Sequence, residues 1–93
     1  MNLTQIVWLE EIVEKLDRKH GVSKGEVLEC LKKARYRFVE KGHRKGEDVY
    51  AAMGQTDAGR YLIVFLIYKK GGQALVVSAR DMTESERRLY AKK

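Results

Sequence analysis

At 93 residues with one cysteine and no proline, the chain has room for one modest core and excludes an internal disulfide or a cysteine metal cluster. Its longest apolar run, YLIVFLIY, has strand length, far short of the roughly 20 residues that span a bilayer, and the start MNLTQ lacks the pattern of a signal peptide; the expectation is a single cytoplasmic domain over 1–93 with no membrane role. The net charge of +6 is concentrated, with seven basic residues against Glu40 between Lys32 and Lys45 and seven against three acidic ones from Lys69 onward, a distribution that suits a polyanionic partner, nucleic acid first.

In chain order, Ile6, Leu9, Ile12, Val13 and Leu16 recur at helical spacing and predict a helix from about Thr4 to Lys19. Gly21 is placed to cap its C-terminus. SKGE then offers Ser23 and Glu26 as a capping box for a second helix through about Ala34. Within it, Cys30 falls at helical spacing from Val27 and Leu31 and reads as a packed thiol. From Arg35 the period changes to two: in RYRFVEKG, Tyr36 and Phe38 point one way and Arg35 and Arg37 the other. DVYAAMG is a second strand, RYLIVFLIY a central strand apolar on both faces, and QALVVSAR a fourth. Thr83 and Glu86 form another capping box for a basic C-terminal helix. The expected fold is α+β, with two N-terminal helices, a four-stranded antiparallel sheet and a C-terminal helix.

If KKGG is a tight turn, partners across the last hairpin have numbers that sum to about 140 or 141, which sets Arg60 opposite Arg80 or Asp81. The Thr83 cap and the GQTDAG loop fall at the same end of the sheet, so three anion-binding features converge there. The plainer reading has Asp81 neutralise both arginines in a surface network. No phosphate-binding loop, HExxH or paired-aspartate constellation is present, so no metal or other cofactor is expected. RNA could still be cut without one, its own 2′-OH attacking the adjacent phosphate while a base, an acid and cations serve the reaction. Candidate proton carriers are His20, the glutamates of the first helix and Tyr90, while His43, in the KGHRKG hairpin, reads as solvated. Trp8 serves either as a base-stacking platform or as a packing anchor.

Trp8, EKLDRKHGVS (14–23), EDVYAAMGQTDAGRYLIVF (47–65) and SARDMTESERRLY (78–90) together resemble the BrnT family of bacterial type II toxins, small ribonucleases of RelE-like fold. The resemblance implies a cytoplasmic endoribonuclease that inhibits translation until bound by a cognate DNA-binding antitoxin. The expected assembly is a homodimer or a toxin–antitoxin heterotetramer. By motif, it implies functional roles for Lys15, His20, Arg60 and Arg80, and for Trp8, Glu11 and Tyr90. The expected catalytic set is His20, Arg60, Arg80, Lys15 and Glu11, and the expected RNA contacts are Trp8, Arg35, Arg37, Arg87 and Tyr90. The rival expectation is a non-catalytic basic module that binds an acidic protein or nucleic acid.

Overall fold

The first apolar periodicity does make a helix, but it starts six residues later than expected. In the computed structural model, which describes residues 3–40, 47–69 and 71–92, helix α1 spans Glu10–His20 and is preceded by a short strand, β1, at Gln5–Val7. Glu10 and Glu11 in the first turn and Arg18, Lys19 and His20 in the last complement the helix dipole. Gly21 ends the helix in the left-handed region at φ 60°, as expected. Thr4 explains why the chain after it is extended. Its N–H donates to the Gly72 carbonyl at 2.8 Å and its hydroxyl to the Gly71 carbonyl at 2.7 Å, which seats β1 alongside the last strand.

The remaining elements are α2 at Lys24–Lys32, β2 at Arg35–Glu40, β3 at Val49–Gln55, β4 at Tyr61–Lys69, β5 at Gln73–Asp81 and α3 at Glu84–Ala91. The sheet order is β1-β5-β4-β3-β2. Four strands pair antiparallel and β1 runs parallel to β5, so the expected four-stranded antiparallel sheet is corrected to a five-stranded mixed one. β4 occupies the centre, as its two-sided apolar pattern predicts. Both capping boxes form, Ser23 with Glu26 and Thr83 with Glu86.

The hairpin register also differs from the expected one. Lys69 pairs with Gln73, leaving residues 70–72 between the paired ends, and a bulge between Phe65 and Leu66 moves the register once more. The bulge shifts Arg80 opposite Ile63 and Asp81 opposite Leu62. The KGHRKG segment with His43 lies outside the described residues.

The two faces of the sheet have different cover. On one, α1 and α2 pack Leu16, Val22, Val27 and Cys30 against Ala52, Leu62, Val64, Leu66, Ala74, Val76 and Ala79, all buried. The other carries a smaller cluster of Ala51, Met53, Ile63 and Met82. α3 packs Tyr90 against it, and none of that helix's own residues is buried.

Candidate functional site

Both arginines singled out in the sequence stand at one end of the sheet, but on opposite faces. Arg60 leads into β4 and turns toward the helices. All five of its N–H groups are used: Nε on Asp81 Oδ1 at 2.7 Å, Nη1 on the Gly21 carbonyl at 2.9 Å and Glu26 Oε2 at 3.0 Å, Nη2 on the His20 carbonyl at 2.9 Å and Asp81 Oδ2 at 3.2 Å. Two carboxylates raise its pKa further above the ordinary arginine value, Asp81 contributing first. In return the guanidinium holds the Asp81 carboxyl below its usual range. Glu26 is lowered chiefly by the Ser23 N–H and then by Arg60. Arg60 thus ties the α1 C-terminus, the first turn of α2 and the end of β5 to one point.

Arg80 is paired across the sheet with Ile63, which puts it on the α3 face. Its two terminal nitrogens grip Glu86 end-on at 2.7 and 2.9 Å, and the second Nη1 N–H donates to the Asp81 carbonyl at 3.1 Å. The remaining Nε–H and second Nη2–H form the side edge of the guanidinium, which has no partner among the described residues. A planar edge of that kind takes two phosphate oxygens bidentately. Glu86 also accepts the Thr83 N–H at 2.8 Å, so one carboxylate both caps α3 and orients Arg80. Arg80 holds it below the usual carboxylate range.

Around Arg80 the same face is basic and aromatic. The Arg80 guanidinium lies over the Phe65 ring at 5.5 Å, Arg87 over Tyr61 at 4.2 Å and Arg35 over Tyr90 at 5.4 Å. Tyr61 and Tyr90 meet edge to face at 6.0 Å. Arg35 also donates to the Lys92 carbonyl. Arg37 is exposed and pairs in register with Ala51 of the α3-face cluster. Arg35, Arg37, Arg80, Arg87 and Tyr90 therefore share one face.

The candidates on the other side do not join them. His20, at the end of α1, lends electrostatic support to the Asp81 carboxylate and so stands on the helix side of the sheet, across from the Arg80 side chain. Lys15 and Glu11 are exposed on α1; at a rise of about 1.5 Å per residue they lie roughly 7.5 and 13.5 Å from His20 along the axis. Trp8 lies between β1 and α1 instead of on the expected helix; it is half-buried against the larger core, with the Lys24 ammonium over its ring at 5.6 Å. Sequence reasoning missed Glu86 and Tyr61. The TESE box disclosed Glu86 as a cap only, since its second contact, with Arg80 six residues earlier, depends on how the chain turns from β5 into α3. Among the described residues no three His, Cys, Asp or Glu side chains cluster to hold a metal, and no helix is long and apolar enough to cross a membrane.

A family model described as "Ribonuclease toxin, BrnT, of type II toxin-antitoxin system" matches residues 8–86. Among solved structures, the fold is similar to that of the Brucella abortus ribonuclease toxin BrnT, with a TM-score of 0.64 at 17% identity over 86% of this chain and 97% of that one. No curated protein matches the chain in sequence.

Proposed function

The chain belongs to the BrnT family of ribonuclease toxins of type II toxin-antitoxin systems, and on that premise we propose that it cuts RNA without a metal, with the open Nε–Nη2 edge of Arg80 on the phosphate under attack. Membership implies an RNA target and an antitoxin partner. Inhibition of translation, and release from it by a DNA-binding antitoxin, complete the reading. The observation that carries it is the contrast between the two arginines. Arg60 has no N–H to spare, whereas Arg80 keeps a complete fork on the basic, aromatic face and is held still by Glu86.

In this reading the 2′-oxygen attacks the adjacent phosphorus and the 5′-oxygen leaves. Arg80 meets the charge that develops on the non-bridging oxygens, at no cost of reorganisation because Glu86 has already fixed its plane. The 2′-OH gives up a proton and the 5′-oxygen takes one up; Tyr90 is the candidate proton carrier on this face, whereas His20 stands on the helix side beside Asp81. Lys15 and Glu11, farther along α1, act at most through the field they add or on flanking nucleotides, and Arg35 and Arg37 hold the neighbouring backbone.

Cleavage of an end-labelled RNA in EDTA, wild type beside Arg80→Ala, tests this. The wild type is expected to cut, and the variant to lose roughly 100- to 1000-fold, the usual effect of removing one charge-stabilising donor. A folded Arg80→Ala protein that cuts at the wild-type rate removes the central claim. Wild-type binding without cutting favours the second reading, a basic interaction module, for which the complete internal use of Arg60 is the supporting observation.

A further inference from the structure

Beside Arg80, a cleft of about 720 Å³ opens between the start of β4 and α3, lined by Tyr61, Met82, Arg87, Arg88 and Tyr90 among others. Resting on the ribonuclease reading above, we propose that this cleft takes one nucleobase of single-stranded RNA, stacked against the Arg87–Tyr61 pair, next to the phosphate on Arg80. The lining is what a base needs. Arg87 lies 4.2 Å from the Tyr61 ring centroid, so guanidinium and phenol present a planar, cationic wall, and bases stack on aromatic rings and on arginine planes alike. Tyr90, edge-on to Tyr61 at 6.0 Å, closes one side, and Met82 supplies an apolar floor that is 7% exposed. Arg88 also lines the cleft, with Glu84 3.8 Å away, but Arg87 is the cation that lies over the Tyr61 ring.

Position connects the cleft with Arg80. Ile63, the cross-strand partner of Arg80, is two residues beyond Tyr61, about 7 Å along the strand and on the same face. On α3, Glu86, which holds Arg80, immediately precedes Arg87. A phosphate on the open edge of Arg80 thus has its own base, or that of a neighbour, within reach of the cleft. A double helix is disfavoured by the same geometry, because a paired base would first have to be flipped out of its stack, at a cost in unstacking and unpairing.

The test uses 2′-O-methyl RNA oligomers of about 10 nucleotides, within the range that such grooves cover, carrying an abasic nucleotide at each position in turn. Affinities are measured for the full-length wild type and for Arg87→Ala. Arg87 is exposed, and circular dichroism checks that the variant is folded. In the wild type one position is expected to be roughly 5- to 100-fold more sensitive to loss of its base than the others. In Arg87→Ala that penalty is expected to fall to about twofold or less, as a stacking partner requires. A uniform loss of affinity at all positions, with the penalty intact, makes Arg87 a mere phosphate contact and overturns the proposal. So does a flat scan in the wild type, or no binding of the oligomers. None of these touches the ribonuclease reading, which fails only if unmodified RNA is not cut in EDTA.

Discussion

A guanidinium with every N–H engaged is a tie between elements, and this separates Arg60 from Arg80 although both are arginines at the same sheet end. Arg60 is 27% exposed at the side chain and grips two carboxylates and two carbonyls. Lysine carries three donors on one atom and cannot reproduce five in a plane. Arg60→Lys is therefore expected to lose roughly 1–3 kcal/mol of stability in urea unfolding, the range for breaking a partly screened, charge-assisted network. RNA cleavage per folded molecule should stay near wild type; a folded Arg60→Lys enzyme that has lost cleavage would return Arg60 to the reacting phosphate. The pH dependence has a definite sign. Asp81 and Glu26 have folded pKa values below their ordinary ones, so their contribution is present above the unfolded values near 4 and is lost as pH falls through the lowered ones. The stability gap between wild type and Arg60→Lys should accordingly be widest at neutral pH and narrow below about pH 4, with Glu26 keeping the part that the Ser23 N–H supplies.

Between elements, α2 comes close to the sheet at Gly54. Gly54, on β3, faces the Cys30 carbonyl so closely that a Cβ would collide with it. Cys30 lies 1% exposed with Sγ 3.7 Å from the Leu62 carbonyl oxygen, and burial pushes its thiol up to about 11. Gly54→Ala is expected to cost about 1–3 kcal/mol, the range for overpacking a filled core, and to speed reaction of Cys30 with a thiol reagent by opening α2 from the sheet. An unchanged urea midpoint would mean that α2 can slide without penalty. The elements most legible in the sequence were those with local causes. Gly21, Ser23 with Glu26, and Thr83 with Glu86 announce helix ends within four residues of themselves, and YLIVFLIY declares a central strand by being apolar on both faces. β1 was not legible because Ile6 also fits the helical period of Leu9 and Ile12, and what makes Gln5–Val7 extended is the distant turn at Gly71 and Gly72. The bulge beside Phe65 has no local sign either, and it sets the register of Arg80. Of the site, the sheet end was readable from the hairpin, but the faces and the Glu86 partnership needed the fold.

For the whole molecule the question is which side meets a polyanion. Both faces have basic neighbours, since Lys32 ends α2 and Lys33 caps it while Arg35, Arg37, Arg80 and Arg87 share the α3 face. The helix side is a covered core, whereas α3 buries none of its own residues and leaves rings beside its cations. Single-stranded RNA needs both charge and stacking surface, so the α3 face is the one expected to bind it. Counterion release makes this measurable: each phosphate neutralised on a single strand adds about −0.7 to the slope of log K against log salt. Four cations on the face give an expected slope of roughly −3 for an uncleavable RNA. Arg37→Ala, at an exposed position, should reduce its magnitude by about 0.7, whereas Lys33→Ala should leave it alone. The reverse result, a slope that responds to Lys33 and ignores Arg37, would put the RNA on the helix side, where Arg80 cannot reach it, and would overturn the assignment of the cleavage face.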